Sequence, residues 1–163
     1  MNAVLHDHIT YQTHWTIRKY LDDAAFARGE AYEQVEIDGN LLLNEGIQAL
    51  LDLGIGTGGT AFNNTNARLG VGDSSTAESA SQTDLQAASN KTYKAMEASY
   101  PSRSGQTITF RSVFGSADAN YAWNEFSVDN GAAAGKNLNR KVSAQGTKAS
   151  GQTWTLDLSI TLS

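Results

Sequence analysis

Apolar and polar residues alternate along residues 152–162, near the end of the chain. The apolar positions are Trp154, Leu156, Leu158, Ile160 and Leu162, and the polar positions between them are Thr155, Asp157, Ser159 and Thr161. Successive side chains of a β-strand point to opposite faces of the sheet, so this period of two predicts a half-buried strand. Residues 15–21 alternate in the same way, with Trp15, Ile17 and Leu21 on the apolar side, and predict another such strand.

The period changes in residues 40–54, where apolar residues recur at helical spacing. The positions that recur are Leu43, Ile47, Leu50 and Leu51. This spacing predicts one long amphipathic helix near residues 40–53, with its apolar face packed on the sheet. Asn40 has a side chain suited to the N-cap, and Gly54 lies where a glycine commonly ends a helix.

Further strands are predicted where short alternating runs lie between turn-forming residues. These runs cover residues 31–37, 68–72, 91–100, 107–114, 121–128 and 138–146. Within residues 121–128 the apolar side changes at Asn124–Glu125, which indicates a β-bulge. Residues 22–30 and 101–106 are interpreted as connections, and residues 81–88 favour one or two helical turns.

Together these elements predict a mainly β, α+β fold in which one helix packs on a mostly antiparallel sheet or sandwich. Residues 1–14 show no periodicity and are predicted to form an extended N-terminal arm. Residues 15–163 are expected to form a single β-rich domain, because a chain of 163 residues fits one domain with a core of its own.

Composition excludes several kinds of site and narrows the partners. The chain has no cysteine, so disulfides, cysteine-ligated zinc and thiol catalysis are excluded. Its 12 Lys and Arg residues are scattered along the chain, and its 17 Asp and Glu residues give a net charge of −5. Both features argue against nucleic-acid binding, which needs clustered cations to neutralise phosphates. No apolar run approaches the roughly 18 residues of a membrane span, and residues 1–10 lack the pattern of a secretory signal. We therefore expect neither nucleic acid nor membrane as a partner.

The glycines of residues 54–59, GIGTGG, match the spacing G-x-G-x-x-G of a dinucleotide-binding turn. That turn works because it leads from a strand into a helix, whose N-terminal amides hold the phosphates. Here the predicted helix comes before the glycines, and a loop follows them. The motif is therefore interpreted as a loop after a helix end, and no cofactor is expected.

Candidate metal ligands occur in two places. The first group comprises His6, Asp7 and His8, with His14 nearby, and the second comprises Asp73, Glu78 and Asp84. Imidazoles suit transition metals and carboxylates suit calcium. The histidines lie in the predicted arm without fixed geometry and are interpreted as solvated or as interface contacts. The carboxylates do not have the spacing of an EF-hand loop, so no metal site is predicted.

Catalytic candidates are equally few. Glu125, beside Trp123, is a lone carboxylate, whereas glycoside hydrolysis needs two carboxyl groups about 5–10 Å apart. We interpret Glu125 as a polar residue at the bulge. The nucleophile elbow G-x-S-x-G is absent from the sequence. No catalytic residue is predicted, and the chain is expected not to be an enzyme.

Three stretches resemble structural proteins of tailed-bacteriophage virions. They are the segment from ARLGVGD to EASYP in residues 67–101, TFRSVFGSADANYAWNEFSV in residues 109–128, and LNRK in residues 138–141. The resemblance covers roughly residues 39–163, and a looser match of the form GD…QT-L links the chain to phage tail-collar fibre proteins. It implies a non-enzymatic structural role and carries no catalytic residues.

Two functions follow from this resemblance. The favoured one is a capsid decoration, or cement, protein that binds between major capsid subunits of the virion, as a homo-oligomer and preferably a trimer. The alternative is a tail collar, baseplate or fibre-anchoring subunit. An enzyme such as a glycan depolymerase is disfavoured, because the sequence offers no paired reactive residues. A small acidic β-rich domain with an unpatterned arm suits docking on a larger lattice.

Overall fold

The computed structural model describes residues 9–131 and 135–163, and its strands form two antiparallel sheets of five strands each. The strands are β1 (Tyr11–Tyr20), β2 (Glu33–Asp38), β3 (Leu41–Leu42), β4 (Arg68–Gly72), β5 (Lys91–Ala95), β6 (Ser102–Ser104), β7 (Thr107–Phe114), β8 (Glu125–Asp129), β9 (Asn139–Val142) and β10 (Thr153–Leu162). The helices are α1 (Asp23–Ala27) and α2 (Asn44–Ile55). Sheet 1 has the order β2-β1-β10-β7-β6, and sheet 2 has the order β3-β9-β8-β4-β5. The predicted mainly β, sandwich-like fold is confirmed.

The centre of sheet 1 is the antiparallel pair β1 and β10, which runs from Tyr11 opposite Leu162 to Tyr20 opposite Thr153. β1 therefore begins inside the predicted arm, because its first four residues already pair with the end of β10. Residues 11–14 belong to the sheet, and residues 1–8 lie outside the described residues. The predicted boundary between arm and domain at residue 15 is wrong.

The core lies between the sheets and is rich in tryptophan. Trp15 and Leu158 face each other across β1 and β10, and both are fully buried. The ring centroids of Trp123 and Trp154 lie 5.0 Å apart in an edge-to-face arrangement, which adds to the energy of burial. Leu21 was predicted on this apolar side but is 64% exposed, because β1 ends one residue before it.

The polar side of β10 is less exposed than alternation alone suggests. Asp157 is only 5% exposed, because it lies between Arg18 on β1 and Arg111 on β7. Arg18 Nη1 donates to Asp157 Oδ2 at 2.8 Å, and Arg111 Nε donates to Oδ1 at 2.7 Å. The position of β10 at the middle of sheet 1 thus gives its outer face two charged neighbours.

Several strands and connections have other boundaries in the structure than the sequence predicted. The strand predicted over residues 91–100 ends at Ala95, and the one predicted over 121–128 begins at Glu125, with Ala122 in an isolated bridge to Thr147. The predicted connections contain regular structure: residues 22–30 include α1, and residues 101–106 include β6. Residues 81–88 form turns and irregular structure instead of helical turns.

The helix α2 is the largest correction. It begins at Asn44, because the two residues of β3 pair with β9, so Asn40 is not its N-cap. The helix passes through Gly54 and ends at Gly56, whose φ of 71° is left-handed. The side that packs on the domain carries Gly46 and Ala49. A Cβ atom on Gly46 would lie 2.5 Å from the Leu138 backbone, so α2 packs through its small residues.

The apolar face predicted to pack on the sheet is therefore turned outwards for most of its length. Leu43, just before the helix, is fully buried as expected. Ile47, Leu50 and Leu51 are 40%, 45% and 62% exposed. The predicted packing of these three side chains is wrong, because the close approach at Gly46 fixes the rotation of α2 about its axis.

Candidate interaction surface

The outward side of α2 carries four large apolar side chains, which we call the α2 apolar face. These residues are Ile47, Leu50, Leu51 and Ile55. Their spacings of three, four and eight residues place them on one side of the helix. Exposure increases along the helix to 74% at Ile55. Single exposed leucines are ordinary on protein surfaces, but a group of them on one side of a helix makes that side a candidate interaction surface.

The apolar surface continues onto one end of sheet 1. Along the inner side of β10 the exposed fraction rises from 0% at Leu158 to 7% at Ile160 and 47% at Leu162. On the neighbouring β7, Ile108 lies opposite Ile160 and is 40% exposed. The inward-facing apolar side chains of sheet 1 are thus only partly buried at this end of the sheet.

A crevice of about 150 Å³ joins this end of sheet 1 to α2, and we call it the apolar crevice. Leu50 lies on its helix side, Ile108 and Leu162 on its sheet side, and Phe62 and Leu138 also line it. Pockets that hold small-molecule ligands are typically about 300–1,000 Å³, so this crevice is small for such a ligand. Its size and lining suit one apolar side chain of another protein.

Glu125, the lone carboxylate considered as a catalytic candidate, is closed off by hydrogen bonds. It is fully buried; its Oε1 accepts from Ala87 N at 2.7 Å, and its Oε2 accepts from Gln86 N at 2.8 Å and from Arg140 Nε at 2.7 Å. A Cβ atom on Gly72 would lie 2.4 Å from Oε1, so a glycine is required there. These bonds fix the carboxylate as an anchor inside sheet 2.

Arg140 extends this anchor to the long irregular segment of residues 73–90. Its Nη1 donates to Gln82 Oε1 at 3.0 Å, and its Nη2 donates to the Thr76 carbonyl at 2.9 Å. Arg140 is itself fully buried. A buried ion pair with its remaining donors satisfied holds a segment in one place, because freeing either charge leaves the other unpaired.

The carboxylates considered as calcium ligands lie apart and have separate partners. Asp73 accepts from Asn90 Nδ2 at 2.7 Å, Glu78 accepts from Val142 N, and Asp84 pairs with Lys91. Among residues 9–131 and 135–163, no group of three or more His, Asp or Glu side chains is arranged to hold a metal ion.

Of the candidate metal ligands near the N-terminus, only His14 lies among the described residues. His14 lies on β1, and its Nδ1 is 2.7 Å from Asp38 Oδ1 on β2. His6, Asp7 and His8 lie outside the described residues. His14 therefore has a carboxylate partner on the neighbouring strand.

A polar cleft of about 480 Å³ lies beside β4 and β5. Arg68 pairs with Asp129 and stacks over Tyr93, with 5.0 Å from its Cζ to the ring centroid. The Tyr93 hydroxyl donates to Asp84 Oδ1 at 2.6 Å, and Lys91 pairs with the same carboxylate. The charged side chains of this cleft are paired with one another, so ion pairs and hydrogen bonds hold its walls together.

The pKa values in the cleft follow from this pairing. Burial, followed by the hydrogen bond to Asp84, raises the pKa of Tyr93 far above its ordinary value. Burial also raises the pKa of Asp129, although its hydrogen bond with Arg68 opposes the shift. Burial favours a higher pKa for Asp84 too, but hydrogen bonds from Lys91 and Tyr93 outweigh it and hold that pKa below its usual range.

The glycine motif of residues 54–59 spans the last two residues of α2 and the loop that follows. Gly56 caps the helix, and Gly58 and Gly59 have positive φ values of 117° and 102°. The next regular element is β4, which begins at Arg68. Within the described residues, no helix begins at this loop to offer its amides to a phosphate.

The sequence interpretation missed the exposure of the α2 apolar face and the buried cation Lys148. Lys148 is fully buried, and its Nζ donates to the Gly115 carbonyl at 2.8 Å and to Asn120 Oδ1 at 2.7 Å. Burial lowers the pKa of Lys148. The small residues Gly46 and Ala49, three apart on one helix, were the sequence feature that could have indicated which side of α2 packs on the domain.

Comparison with protein-family models, with curated proteins and with solved structures gives no match for this chain. In the part of the chain that the structure describes, no helix has both the length and the apolarity needed to span a bilayer.

Proposed function

We propose that this chain is a non-enzymatic structural subunit of a tailed-phage virion, and specifically a capsid decoration protein that binds and stabilises the head shell. The observation that carries the proposal is the α2 apolar face. Four large apolar side chains are 40–74% exposed on one side of this helix, beside a crevice of side-chain size. A subunit that works by protein contact needs such a surface.

The charged groups support the same proposal. Glu125 with Arg140, and Arg68 with Asp129, are each tied into the fold by hydrogen bonds. Catalysis needs groups placed to exchange protons or bonds with a substrate. Here the same groups hold loops and strands in fixed positions, which is the requirement of a rigid building block. The likeness of residues 39–163 to virion structural proteins gives the proposal its biological setting.

The location of the chain in particles tests the proposal. Antibodies raised against the folded protein should label the head shell of the phage that encodes it, and cryo-electron microscopy of the same particles should show the sandwich on the outer surface of the shell. Labelling confined to the tail would replace decoration with the alternative role of a collar, baseplate or fibre-anchoring subunit. Absence of the chain from purified particles would overturn the virion assignment.

A binding experiment tests the stabilising role. Purified protein should bind heads that lack it and should raise the temperature at which they release DNA. Leu51→Asp, which places a charge on the α2 apolar face, should weaken this binding. Its matched control is Leu21→Asp, because Leu21 is a similarly exposed apolar residue at the other end of β1 from Tyr11 and Leu162. The control protein should bind as wild type does. If wild-type protein binds without raising that temperature, the stabilising role is wrong.

A further inference from the structure

A cleft of about 310 Å³ lies on the outer face of sheet 1, and we call it the Tyr100 cleft. Strands β1, β10 and β7 contribute Arg18, Thr155 and Arg111 to it, and Phe26 of α1 and the turn of residues 97–100 flank these strands. The apolar crevice lies on the other face of sheet 1 and towards its other end. The volume of the Tyr100 cleft is at the lower end of the range for small-molecule sites, which suits a ligand of about one ring.

Two arginines leave hydrogen-bond donors free in the Tyr100 cleft. Arg111 donates to Asp157 through Nε and Nη2, and Arg18 donates to Gln34 through Nε and to Asp157 through Nη1. Within the described residues, Arg111 Nη1 and Arg18 Nη2 have no hydrogen-bond partner. The two side chains are 33% and 31% exposed, so a ligand in the cleft can reach these donors.

Thr155 adds an unpaired hydroxyl to the floor of the cleft. It lies between Arg18 and Val113 of the neighbouring strands and is 4% exposed. In the part of the chain that the structure describes, its buried Oγ1 has no hydrogen-bond partner. A buried hydroxyl without a partner destabilises the protein, so a ligand hydroxyl that bonds to Thr155 removes that cost.

The turn of residues 97–100 supplies an acceptor and a flat apolar surface. Asn64 Nδ2 donates to the carbonyls of Glu97 and Tyr100 at 3.0 Å and 2.6 Å, and Glu97 N donates to the Arg111 carbonyl at 2.9 Å. These bonds fix the turn against β7, with the Tyr100 ring centroid 4.9 Å from Arg111 Cζ. The Glu97 carboxylate lines the cleft and has no partner among residues 9–131 and 135–163.

The charges in and beneath the cleft cancel. Arg18 and Arg111 are cations, Glu97 is an anion, and Asp157 between the two arginines is a second anion. The sum is zero, so an anionic ligand meets no excess of positive charge. A neutral ligand with several hydroxyls can accept from the guanidinium groups and donate to the carboxylate, and hydrogen bonds to charged groups are the stronger ones.

We propose that the Tyr100 cleft binds a neutral sugar ring. A pyranose has hydroxyls around its edge and apolar C–H groups on its faces, so it fits a site that joins polar groups to an aromatic ring. Its hydroxyls accept from Arg18 and Arg111 and donate to Glu97, and one of its faces lies against Tyr100. This role goes beyond the proposed function and does not depend on it, because a subunit attached through the α2 apolar face leaves the cleft open.

Titration with single sugars tests the proposal. Glucose, galactose, mannose and N-acetylglucosamine are added separately to ¹⁵N-labelled protein, and amide chemical shifts are followed. At least one sugar should give saturable shifts at residues 97–100 and at Thr155, with a millimolar Kd. Acetate should not saturate these amides, and glucuronate should bind no more tightly than glucose. The proposal is overturned if none of the four sugars saturates, or if acetate does, since acetate would show an anion site.

Two substitutions locate the sugar. Glu97→Gln should weaken binding about tenfold and Thr155→Val about fivefold, because each removes one hydrogen bond to the ligand. Thr155→Val should leave the melting temperature unchanged or slightly raised, since the hydroxyl has no partner in the protein. The control is Thr109→Val, on the same face of β7 but bonded to Ser159 outside the cleft, and it should bind as wild type does. Unchanged affinity in both cleft variants would place the sugar elsewhere and overturn the proposal.

The outcomes separate this inference from the proposed function. Sugar binding at the Tyr100 cleft by a chain absent from virions supports the inference and overturns the proposed function. A protein that binds and stabilises heads, but saturates with none of the four sugars, has the opposite meaning.

Discussion

Arg140 Nε lies 2.7 Å from Glu125 Oε2, and both side chains are completely buried. The two residues lie on neighbouring strands of sheet 2, and their remaining hydrogen bonds reach into residues 73–90. Removing two charges from water is costly, and the cost is offset only when the geometry is good and the other donors and acceptors are satisfied. The pair therefore couples the integrity of sheet 2 to the position of a long segment without regular structure.

Glu125→Gln should destabilise the protein by about 3–5 kcal/mol, because it leaves the Arg140 charge buried without its counter-charge. Urea unfolding followed by circular dichroism measures the change. The matched control is Glu30→Gln, which breaks the exposed pair between Arg28 and Glu30 and should cost about 1 kcal/mol or less. Equal effects of the two substitutions would show that the buried pair has no special role.

Gly46→Ala should destabilise the domain by about 1–3 kcal/mol, because the new methyl group would lie 2.5 Å from the Leu138 backbone and push α2 outwards. Gly54→Ala is the control in the same helix. A Cβ atom there meets nothing within 4 Å, so the change should be neutral or stabilise by up to about 1 kcal/mol. Thermal unfolding of both variants gives the comparison, and a Gly46→Ala protein as stable as wild type would contradict the described packing.

Asp84 should contribute to acid unfolding. Its pKa is lowered in the folded protein, so its contribution to stability is present above the unfolded pKa of about 3.9 and is lost as pH falls through the lower folded pKa. Unfolding free energies measured from neutral pH to about pH 3 should fall less steeply for Asp84→Asn than for wild type. Glu30→Gln controls for the change in net charge. Identical pH slopes for wild type and Asp84→Asn would contradict the bonding of Asp84 to Lys91 and Tyr93.

The glycine loop should bind no nucleotide. Isothermal titration with ATP and with NAD should give no saturable heat, because the loop follows a helix end. Gly56→Ala should act only on stability and cost about 1 kcal/mol, since φ is 71° at Gly56. Saturable binding that weakens in Gly56→Ala would revive the dinucleotide interpretation and, with it, an enzymatic function.

The strands of sheet 1 were largely predictable because their two faces differ. Alternation in β10 placed Trp154, Leu156 and Leu158 inside, and all three are buried. Alternation is a local property, so it reports a strand without needing its partner. It did not show that β1 extends back to Tyr11, because residues 11–14 show no periodicity and owe their strand conformation to pairing with β10.

The facing of α2 was not predictable from periodicity. Helical spacing shows that apolar residues share a side but not which neighbour covers that side. Here the contact with Leu138 is made by Gly46, whose lack of a side chain contributes nothing to a hydrophobic pattern. An apolar face that is exposed to solvent and one that packs on the core therefore look alike in sequence.

The buried ion pair of Glu125 and Arg140 in sheet 2 could not be predicted from local sequence patterns either. Glu125 and Arg140 lie 15 residues apart, and neither is marked by its neighbours in the sequence as buried. Only the antiparallel pairing of β8 with β9 brings them together. The sequence interpretation placed Glu125 as a polar residue at a β-bulge, but it had no means to name the cation beside it.

The pairing of β1 with β10 determines the order in which the chain can fold. Arg18 and Asp157 lie 139 positions apart, and they meet across the two central strands of sheet 1. During synthesis, β1 emerges from the ribosome long before β10 exists to pair with it. Domains dominated by such distant contacts fold slowly, since loop closure precedes the gain from pairing. The early part of the chain, including Trp15 and Ile17, therefore depends on protection from aggregation until translation has reached β10.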